Sequence, residues 1–361
     1  MFVESETMTV LLTPVQIGAF TLPNRVVMAP MTRNRAQADG RASALMAQYY
    51  EQRGRAGMVV VEGTTPSPDG YAYVRMPGLW SEQHAEAFRP VVEGIHRKGG
   101  VAVLQLMHGG RVASASNRAV VGGRTLAPSA VQLEGEIWTD SAGMRPHDVP
   151  QEMTLADIEE SLQAYSKAAR WARAIGFDGV ELHGTSGYLP SQFLSENVNQ
   201  RTDAYGGTLE HRARYFVELM QVLVEAVGAD RVGLRLCPGN PYNGIQDSNP
   251  AASAGLLLRE AEHRGLAYVH IMRSPLPDLD AIGLAKSCFT GALIVNDSYQ
   301  PDTAEHAVAS GLASAVSFGR HFIGNPDLVA RIRSGTPLAK FDRKTLYTAG
   351  PEGYIDYSPF H

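Results

Sequence analysis

The feature of this chain that most limits its fold is a regular alternation of short apolar segments with longer amphipathic ones. The apolar segments are rich in Val, Ile and Leu and lack a strict apolar–polar alternation, which is typical of strands buried on both faces of a parallel sheet. We predict eight such strands, at residues 25–31, 58–64, 101–107, 179–183, 231–236, 268–273, 292–296 and 315–319.

Segments with helical periodicity lie between these strands. We predict helices at residues 43–53, 81–98, 154–175, 209–227, 251–264, 278–288, 303–310 and 327–333. Ser81 and Thr154 are placed to cap two of them, and Asp157 stands three residues after Thr154, as in a capping box. Glycine follows several of these segments, and we expect it to take the left-handed conformation that ends a helix: Gly54, Gly99, Gly176, Gly228, Gly265 and Gly311.

Repeated β-then-α units predict the α/β class and a closed (β/α)8 TIM barrel that forms one domain over residues 1–361, with residues 1–10 as a flexible tail. Residues 13–22, which contain Gly18, predict a hairpin that closes the barrel floor. Residues 109–150 predict a long insertion after the third strand that covers the barrel mouth. The alternative is a doubly wound open sheet, although no Gly-x-Gly-x-x-Gly follows the first strand.

Composition and charge exclude several classes of protein. The chain has 44% hydrophobic and 19% charged residues, as globular enzymes do, and its net charge of −5 gives no basis for binding nucleic acid or an anionic membrane. We predict neither a signal peptide nor a membrane span, and we expect a cytoplasmic protein. Cys237 and Cys288 are expected to be buried small apolar side chains, and no metal site is predicted.

Polar residues gather where the predicted strands end. They are Thr32, Gln105, His108, His183, Ser186, Tyr188, Arg235, Gly319 and Arg320. Any one of them alone would more often be structural than functional. Because the active sites of (β/α)8 barrels lie at the carboxyl ends of the strands, we predict that these positions form one site.

Three groups of motifs give this site a family resemblance. They are PNRVVMAPMTR at residues 23–33; HGTSGYL, QFLS and NQRTDAYGG between residues 183 and 207; and FGR with NPDL between residues 318 and 328. In this order, from about residue 11 to the EGY at 352–354, the chain resembles the old yellow enzyme family of FMN-dependent oxidoreductases. It is similar to the branch that carries Thr, rather than Cys, at the position of Thr32.

The resemblance implies FMN as cofactor and NADPH or NADH as reductant. It places Arg235 near flavin N1, where a permanently protonated side chain stabilises the negative charge of the reduced flavin. It places Gln105 at the pyrimidine edge, to which an amide offers both donor and acceptor, and Thr32 near O4. It further assigns Pro30, Met31 and Gly63 to the flavin ring, and Asn296, Asp297, Gly319 and Arg320 to the phosphate.

One position near the expected phosphate departs from the family pattern. Relatives often carry glycines where this chain has residues 295–297. The Asp297 side chain must then point away from the phosphate, and we expect it to cap the helix that follows.

The resemblance also implies a substrate pocket above the flavin. His183 and its partner would hold the substrate oxygen, Tyr188 would donate a proton to carbon, and Tyr73 and Tyr354 would line the pocket. The family has His or Asn at the partner position, where this chain has Ser186, and relatives commonly place Trp at the position of Met107. Losing one oxyanion donor costs on the order of 10²–10³ in rate, so we expect a specialised substrate, such as a biosynthetic intermediate.

Four hypotheses about function follow. The first is an ene-reductase that acts on α,β-unsaturated carbonyl compounds. The second is a flavin enzyme with a redox-neutral or oxidative reaction, and the third is a flavin-binding protein of weak activity. The fourth, a non-flavin barrel such as a phosphate-sugar isomerase, explains a phosphate site but not Gln105 with Arg235. The expected partner is a small-molecule substrate, and the expected state is a monomer or homodimer.

Overall fold

In a computed structural model that describes residues 9–359, parallel strands close into a barrel. The strands are β1 (Val26–Met28), β2 (Met58–Thr64), β3 (Val101–Leu106), β4 (Gly179–His183), β5 (Val232–Leu236), β6 (Tyr268–Met272), β7 (Ala292–Asn296) and β8 (Ala315–Phe318). Strand β8 pairs with β1, which leaves no edge. The predicted (β/α)8 barrel is therefore confirmed, and the open-sheet alternative is wrong.

Helices surround this barrel. They are α1 (Ala44–Arg53), α2 (Glu82–Arg97), α3 (Leu155–Ala174), α4 (Leu189–Leu194), α5 (Leu209–Val227), α6 (Pro250–His263), α7 (Ala281–Cys288), α8 (Pro301–Ala309), α9 (Arg320–Gly324) and α10 (Leu328–Ser334). Only α4 and α9 were not predicted, because helices of fewer than two turns show no periodicity. The capping box of α3 is confirmed: Asp157 N–H donates to Thr154 Oγ1 at 3.1 Å, and Thr154 N–H donates to Asp157 Oδ2 at 2.8 Å.

Most of the predicted glycine helix ends are confirmed. Gly99, Gly176, Gly228, Gly265 and Gly311 have positive φ. The prediction is wrong at Gly54, which has φ −67° and continues the helical turn.

The barrel floor is closed by the predicted hairpin. Strand Val15–Ile17 pairs antiparallel with Phe20–Leu22, and their apolar side chains pack below the barrel against inward-facing residues such as Val60. Gly18, between the two strands, has φ +52°, and a Cβ there would lie 2.4 Å from the carbonyl oxygen of Asp230. Only glycine fits this turn.

The insertion after β3 covers the mouth, as predicted. It contains a hairpin of Glu136–Thr139 with Gly143–Pro146, and its Val112, Leu133 and Ile137 pack in one cluster with Met107 and Tyr188. The insertion thus forms an apolar wall above the barrel.

One expectation about the periphery needs correction. Cys237 and Cys288 are half-buried rather than buried: Cys237 directly follows β5, and Cys288 is the last residue of α7. Residues 1–8 of the predicted tail lie outside the described residues, but Val10 begins a short 3-10 helix and its N–H donates to Glu305 Oε1 at 2.8 Å. No helix within residues 9–359 is long and apolar enough to cross a membrane.

Two buried arginines tie the C-terminal segment to the chain that leaves β1. Arg33 donates to the carbonyl oxygens of Leu346 at 3.0 Å and Gly353 at 2.8 Å. Arg35 donates to those of Thr345 at 2.8 Å and Glu352 at 3.0 Å. These bonds from Arg33 and Arg35 form a clamp that holds residues 345–353 against the barrel mouth.

Glu62, in the irregular end of β2, lies beside this clamp. Its Oε2 accepts from the N–H of Arg33 at 3.1 Å, and its Oε1 accepts from the Tyr50 hydroxyl at 3.0 Å. The carboxyl is completely buried, and this burial raises its pKa from 4.5 to about 7.

Glu62→Gln tests whether this carboxyl changes its charge near neutral pH. Because its folded-state pKa is raised, its contribution to stability is fully present below pH 4.5 and is lost as the pH rises through 7. Each pKa unit is worth about 1.4 kcal/mol, so the free energy of unfolding of wild type minus variant should fall by about 3 kcal/mol between pH 4.5 and about pH 8. Urea unfolding at both pH values measures this, and a constant difference would mean that Glu62 is ionised when folded.

Candidate active site

A band of polar residues crosses the barrel interior just below its mouth. Strand register creates it: Gln105 on β3 is paired with Glu181 on β4, and Arg235 on β5 is paired with His270 on β6. All four side chains are buried. Because side chains alternate between the two faces of a strand, the residues next to them, such as Leu182, pack outward against the helices.

The band fixes the orientation of its members. Gln105 Nε2 donates to Glu181 Oε1 at 2.8 Å. A carboxylate can only accept, so the amide orientation is determined and Gln105 Oε1 remains for another partner. Gly63 lies beside it: a Cβ there would be 3.5 Å from Gln105 Oε1 and 2.8 Å from Met107 Sδ.

A cavity of about 950 Å³ opens next to this band at the ends of β1, β7 and β8. It is lined by most of the predicted FMN residues, namely Pro30, Met31, Arg235, Asn296, Asp297, Gly319 and Arg320. His321, Lys340 and Arg343 also line it and were not predicted. Basic groups from β5, α9 and the C-terminal segment therefore converge here, which suits a phosphate. Thr32 directly follows Met31, and the bond from Arg33 N–H to Glu62 holds this chain beside Gly63.

The prediction that Asp297 caps the following helix is wrong. Asp297 and Ser298 have φ +86° and +61°, so the chain turns before α8 begins at Pro301. The N–H of Gln300 donates to Thr303 Oγ1 at 2.8 Å instead. The Asp297 carboxylate lies 4.0 Å from the Arg320 guanidinium, and these left-handed angles are the ones that glycine adopts most readily.

His183 and Tyr188 lie together on the other side of the mouth, with ring centroids 4.9 Å apart. Burial, followed by the charge of Arg235, lowers the pKa of His183 to about 3, so its imidazole is neutral. Thr185 N–H donates to His183 Nδ1 at 3.4 Å, which leaves the ring proton on Nε2. The Tyr188 hydroxyl is 3.0 Å from that of Tyr73, and burial raises the pKa of Tyr188 well above its ordinary value. At neutral pH the neutral His183 ring can therefore donate a hydrogen bond, and the Tyr188 phenol keeps its proton.

Ser186 occupies a turn beside this pair. It has φ +62°, and its carbonyl oxygen accepts from Asn243 Nδ2 at 2.8 Å. Asn243 belongs to the loop after β5, and its side chain partly offsets the rise that burial causes in the pKa of Tyr73. No sequence motif pointed to Asn243, because Ser186 and Tyr73, which lie near it in the fold, are more than 50 residues away along the chain.

Tyr354 does not line the pocket, contrary to the prediction. It is fully buried and stacks on Tyr49 with ring centroids 4.1 Å apart, beneath the Arg33 guanidinium. Tyr347, seven residues earlier in the chain, is instead 61% exposed, and its charge interaction contributes to the raised pKa values of Tyr73 and Tyr188. His108 is also outside the pocket: it is buried and accepts from Gly110 N–H at 3.1 Å.

Within residues 9–359 no group of three or more His, Cys, Asp or Glu side chains is arranged to hold a metal ion. The model of the NADH:flavin oxidoreductase / NADH oxidase family matches residues 10–339. The chain belongs to this family. It is an NAD(P)H:flavin oxidoreductase whose cofactor is FMN.

Curated and solved members of the flavin oxidoreductase family resemble the chain over its full length. A probable flavin mononucleotide-dependent alkene reductase of Leishmania infantum is 38% identical and covers 99% of both chains. The 12-oxophytodienoate reductase 1 of Oryza sativa subsp. japonica is 37% identical, over 97% of this chain and 93% of the relative. The old yellow enzyme homologue from Zymomonas mobilis is 36% identical, with TM-score 0.92 over 97% and 99% of the two chains. Morphinone reductase in complex with tetrahydroNAD is 38% identical, with TM-score 0.91 over 97% and 98%.

The two tail tyrosines of this flavin oxidoreductase should respond oppositely to truncation. Tyr354→Ala removes a buried stacked ring and should lower the free energy of unfolding by about 3–5 kcal/mol. Tyr354→Phe should have little effect, because the hydroxyl has no hydrogen-bond partner among the described residues. Tyr347→Ala should change stability by less than about 0.5 kcal/mol while weakening phenol binding several-fold. Urea unfolding and spectral titration measure the two effects, and a reversed pattern would refute this assignment.

Proposed function

We propose that this flavin oxidoreductase reduces the activated C=C bond of an α,β-unsaturated carbonyl compound with NADH or NADPH. The observation that carries the proposal is the His183–Tyr188 pair, a neutral imidazole donor beside a protonated phenol. The names of the Leishmania alkene reductase and the rice 12-oxophytodienoate reductase support the reaction. The tetrahydroNAD complex of morphinone reductase supports a nicotinamide reductant.

Bound FMN supplies the hydride that reaches the β-carbon of the alkene. His183 Nε2–H donates to the substrate carbonyl oxygen and so stabilises the negative charge that develops there. Tyr188 delivers its hydroxyl proton to the α-carbon. The Tyr73 hydroxyl, 3.0 Å away, returns a proton to Tyr188 and takes one from solvent in its place.

The cofactor roles are proposed for the residues around the polar band and the cavity. Arg235 and Gln105 would hold the pyrimidine edge, Thr32 would donate near O4, and Pro30, Met31 and Gly63 would line the ring. Backbone N–H groups at Asn296, Asp297, Gly319 and Arg320 hold the phosphate together with the Arg320 side chain, and Lys340 and Arg343 add positive charge. The Asp297 carboxylate is tolerated because Arg320 pairs with it.

The substrate is proposed to be specialised, in keeping with Ser186 and Met107. The second oxygen-binding position has a short hydroxyl, and the wall that relatives build with Trp is a flexible Met buried beside Tyr188. Tyr242 and Tyr347 are exposed, and both contribute to raising the pKa values of Tyr73 and Tyr188. They therefore border the proposed substrate opening. These features favour a large, flat and mainly apolar enone, such as a biosynthetic intermediate.

Tyr188→Phe tests the proton donor. Hydride transfer from NAD(P)H to the flavin should be nearly unchanged, because it needs no proton from Tyr188. Reoxidation by an enone should slow by roughly 10²–10⁴-fold, the usual contribution of general-acid catalysis. Stopped-flow absorbance measures the two half-reactions separately.

Two comparisons make this experiment decisive. Reoxidation by a quinone should slow much less, because no carbon is protonated. Tyr73→Phe, which removes the neighbouring hydroxyl but keeps that of Tyr188, should slow the enone reaction less than Tyr188→Phe. Equal enone rates in wild type and Tyr188→Phe would rule out the donor role.

Ser186→Asn tests the oxygen-binding position. Asn tolerates positive φ better than Ser, so the turn at +62° should be kept. One added hydrogen bond to a charged oxygen is worth about 1.5–3 kcal/mol, so phenolate ligands should bind about 10- to 100-fold more tightly. His183→Gln should weaken them. Spectral titration measures both, and Ser186→Ala is the control. An unchanged affinity in Ser186→Asn would mean that another group, such as Asn243, already completes the site.

The second candidate function is a redox-neutral or oxidative reaction on a natural-product intermediate, and Ser186 is the observation that favours it. Anaerobic product analysis with enones, quinones and nitro compounds distinguishes the two functions. Net alkene reduction at the expense of NAD(P)H supports the first, whereas isomerisation without consumption of NAD(P)H supports the second.

A further inference from the structure

The polar band contains two fully buried ionisable side chains that the proposed reaction does not use. Glu181 and His270 are both 0% exposed, and neither lines the cavity. A buried carboxylate is costly unless it is paired and hydrogen-bonded, so its partners indicate why it is there.

Glu181 uses both carboxylate oxygens. Oε1 accepts from Gln105 Nε2 at 2.8 Å, while Oε2 accepts from the Tyr268 hydroxyl at 3.0 Å and from His270 Nδ1 at 2.8 Å. His270 and Arg235 lower the pKa of Glu181 despite its burial, so the group is ionised. Its negative charge lies beside a side chain that faces the flavin edge.

His270 connects this carboxylate to Arg235. Its Nδ1 proton goes to Glu181, so Nε2 carries the lone pair and accepts from the Ser317 hydroxyl at 2.7 Å. Arg235 Nη1 lies against the ring, 3.0 Å from Nε2 and 3.2 Å from Nδ1. Asn296 completes the circuit: its Nδ2 donates to Ser317 Oγ at 2.7 Å, and its Oδ1 accepts from Arg235 Nη2 at 3.0 Å. The guanidinium is therefore held at both terminal nitrogens.

We propose that Glu181, acting directly on Gln105 and through His270 on Arg235, is the positioning residue that orients the flavin-facing side chains, and that its negative charge lowers the affinity for reduced FMN relative to oxidised FMN. This inference rests on the proposed cofactor roles of Gln105 and Arg235. One carboxylate balances one guanidinium inside the barrel. Removing the carboxylate charge leaves Arg235 free to attract the negative charge of reduced flavin more strongly.

Glu181→Gln separates the two effects, because it keeps the size of the side chain and removes its charge. Oxidised FMN should bind at least tenfold more weakly, since an amide has only one acceptor oxygen and either Gln105 or His270 then meets an NH2 group instead of an acceptor. The ratio of affinities for reduced over oxidised FMN should rise at least tenfold. That ratio corresponds to a reduction potential about 30 mV higher for a two-electron couple.

The measurements are fluorescence titration of the apoprotein with FMN and equilibrium reduction against a reference dye. Glu218→Gln is the matched control: Glu218 accepts from the Tyr205 hydroxyl at 2.9 Å on the outer helix α5 and should leave both values at wild type. If oxidised FMN binds more weakly but the reduction potential stays at the wild-type value, Glu181 is merely structural and the proposed effect of its charge is wrong. Wild-type values for both would overturn the whole inference.

A second variant covers the case in which Glu181→Gln does not fold. Ser317→Ala removes the hydroxyl between His270 and Asn296 and no charge. With Arg235 held less firmly, the affinity for reduced FMN should fall more than that for oxidised FMN, and wild-type affinities would overturn the inference. Failure of the proposed function is a separate result: the wild-type protein would then be reduced by NAD(P)H but transfer nothing to any enone.

Discussion

Two opposite charges share the closed interior of this barrel, and the site depends on their mutual neutralisation. Glu181 is completely buried and Arg235 is 7% exposed. An isolated ion there would cost several kcal/mol, whereas the pair satisfies its hydrogen-bonding groups through Gln105, His270 and Asn296. The need to satisfy these groups makes the polar band continuous from β3 to β8. A continuous band in turn forms a rigid surface at the proposed flavin site.

The second constraint on the site is the clamp formed by Arg33 and Arg35. These two arginines follow the strand that ends in the proposed flavin contacts, and they donate to carbonyl oxygens of the C-terminal segment. The clamp brings Tyr347, Lys340 and Arg343 of one terminal segment to two different sides of the site. The tail thus adds positive charge to the lining of the cavity and places an exposed aromatic side chain near Tyr188.

Local patterns predicted much of this architecture. The strands came within a few residues of their true bounds, because buried parallel strands are continuous apolar runs that end where polar residues begin. The side chains at those ends met in one place, because the barrel brings the carboxyl ends of all its strands to one rim. Predictions failed where a residue's conformation depends on distant contacts. Asp297 precedes a helix, but its left-handed backbone separates it from that helix, and Gly54 ends a helix without a left-handed turn.

The sequence by itself determined the barrel, the flavin family and the identity of most residues at the mouth, because these follow from periodicity and from motifs that are contiguous in the chain. Tertiary structure alone decided which of two tail tyrosines is exposed and which is buried. Tyr347 and Tyr354 are equally apolar and lie in the same segment, and only the bonds from Arg33 and Arg35 turn one outward and bury the other. It also decided that Asn243 lies beside Ser186 and that Glu181 reaches Arg235 through His270. Such contacts join residues from different strands and loops, and their distances are set by barrel closure rather than by separation along the chain.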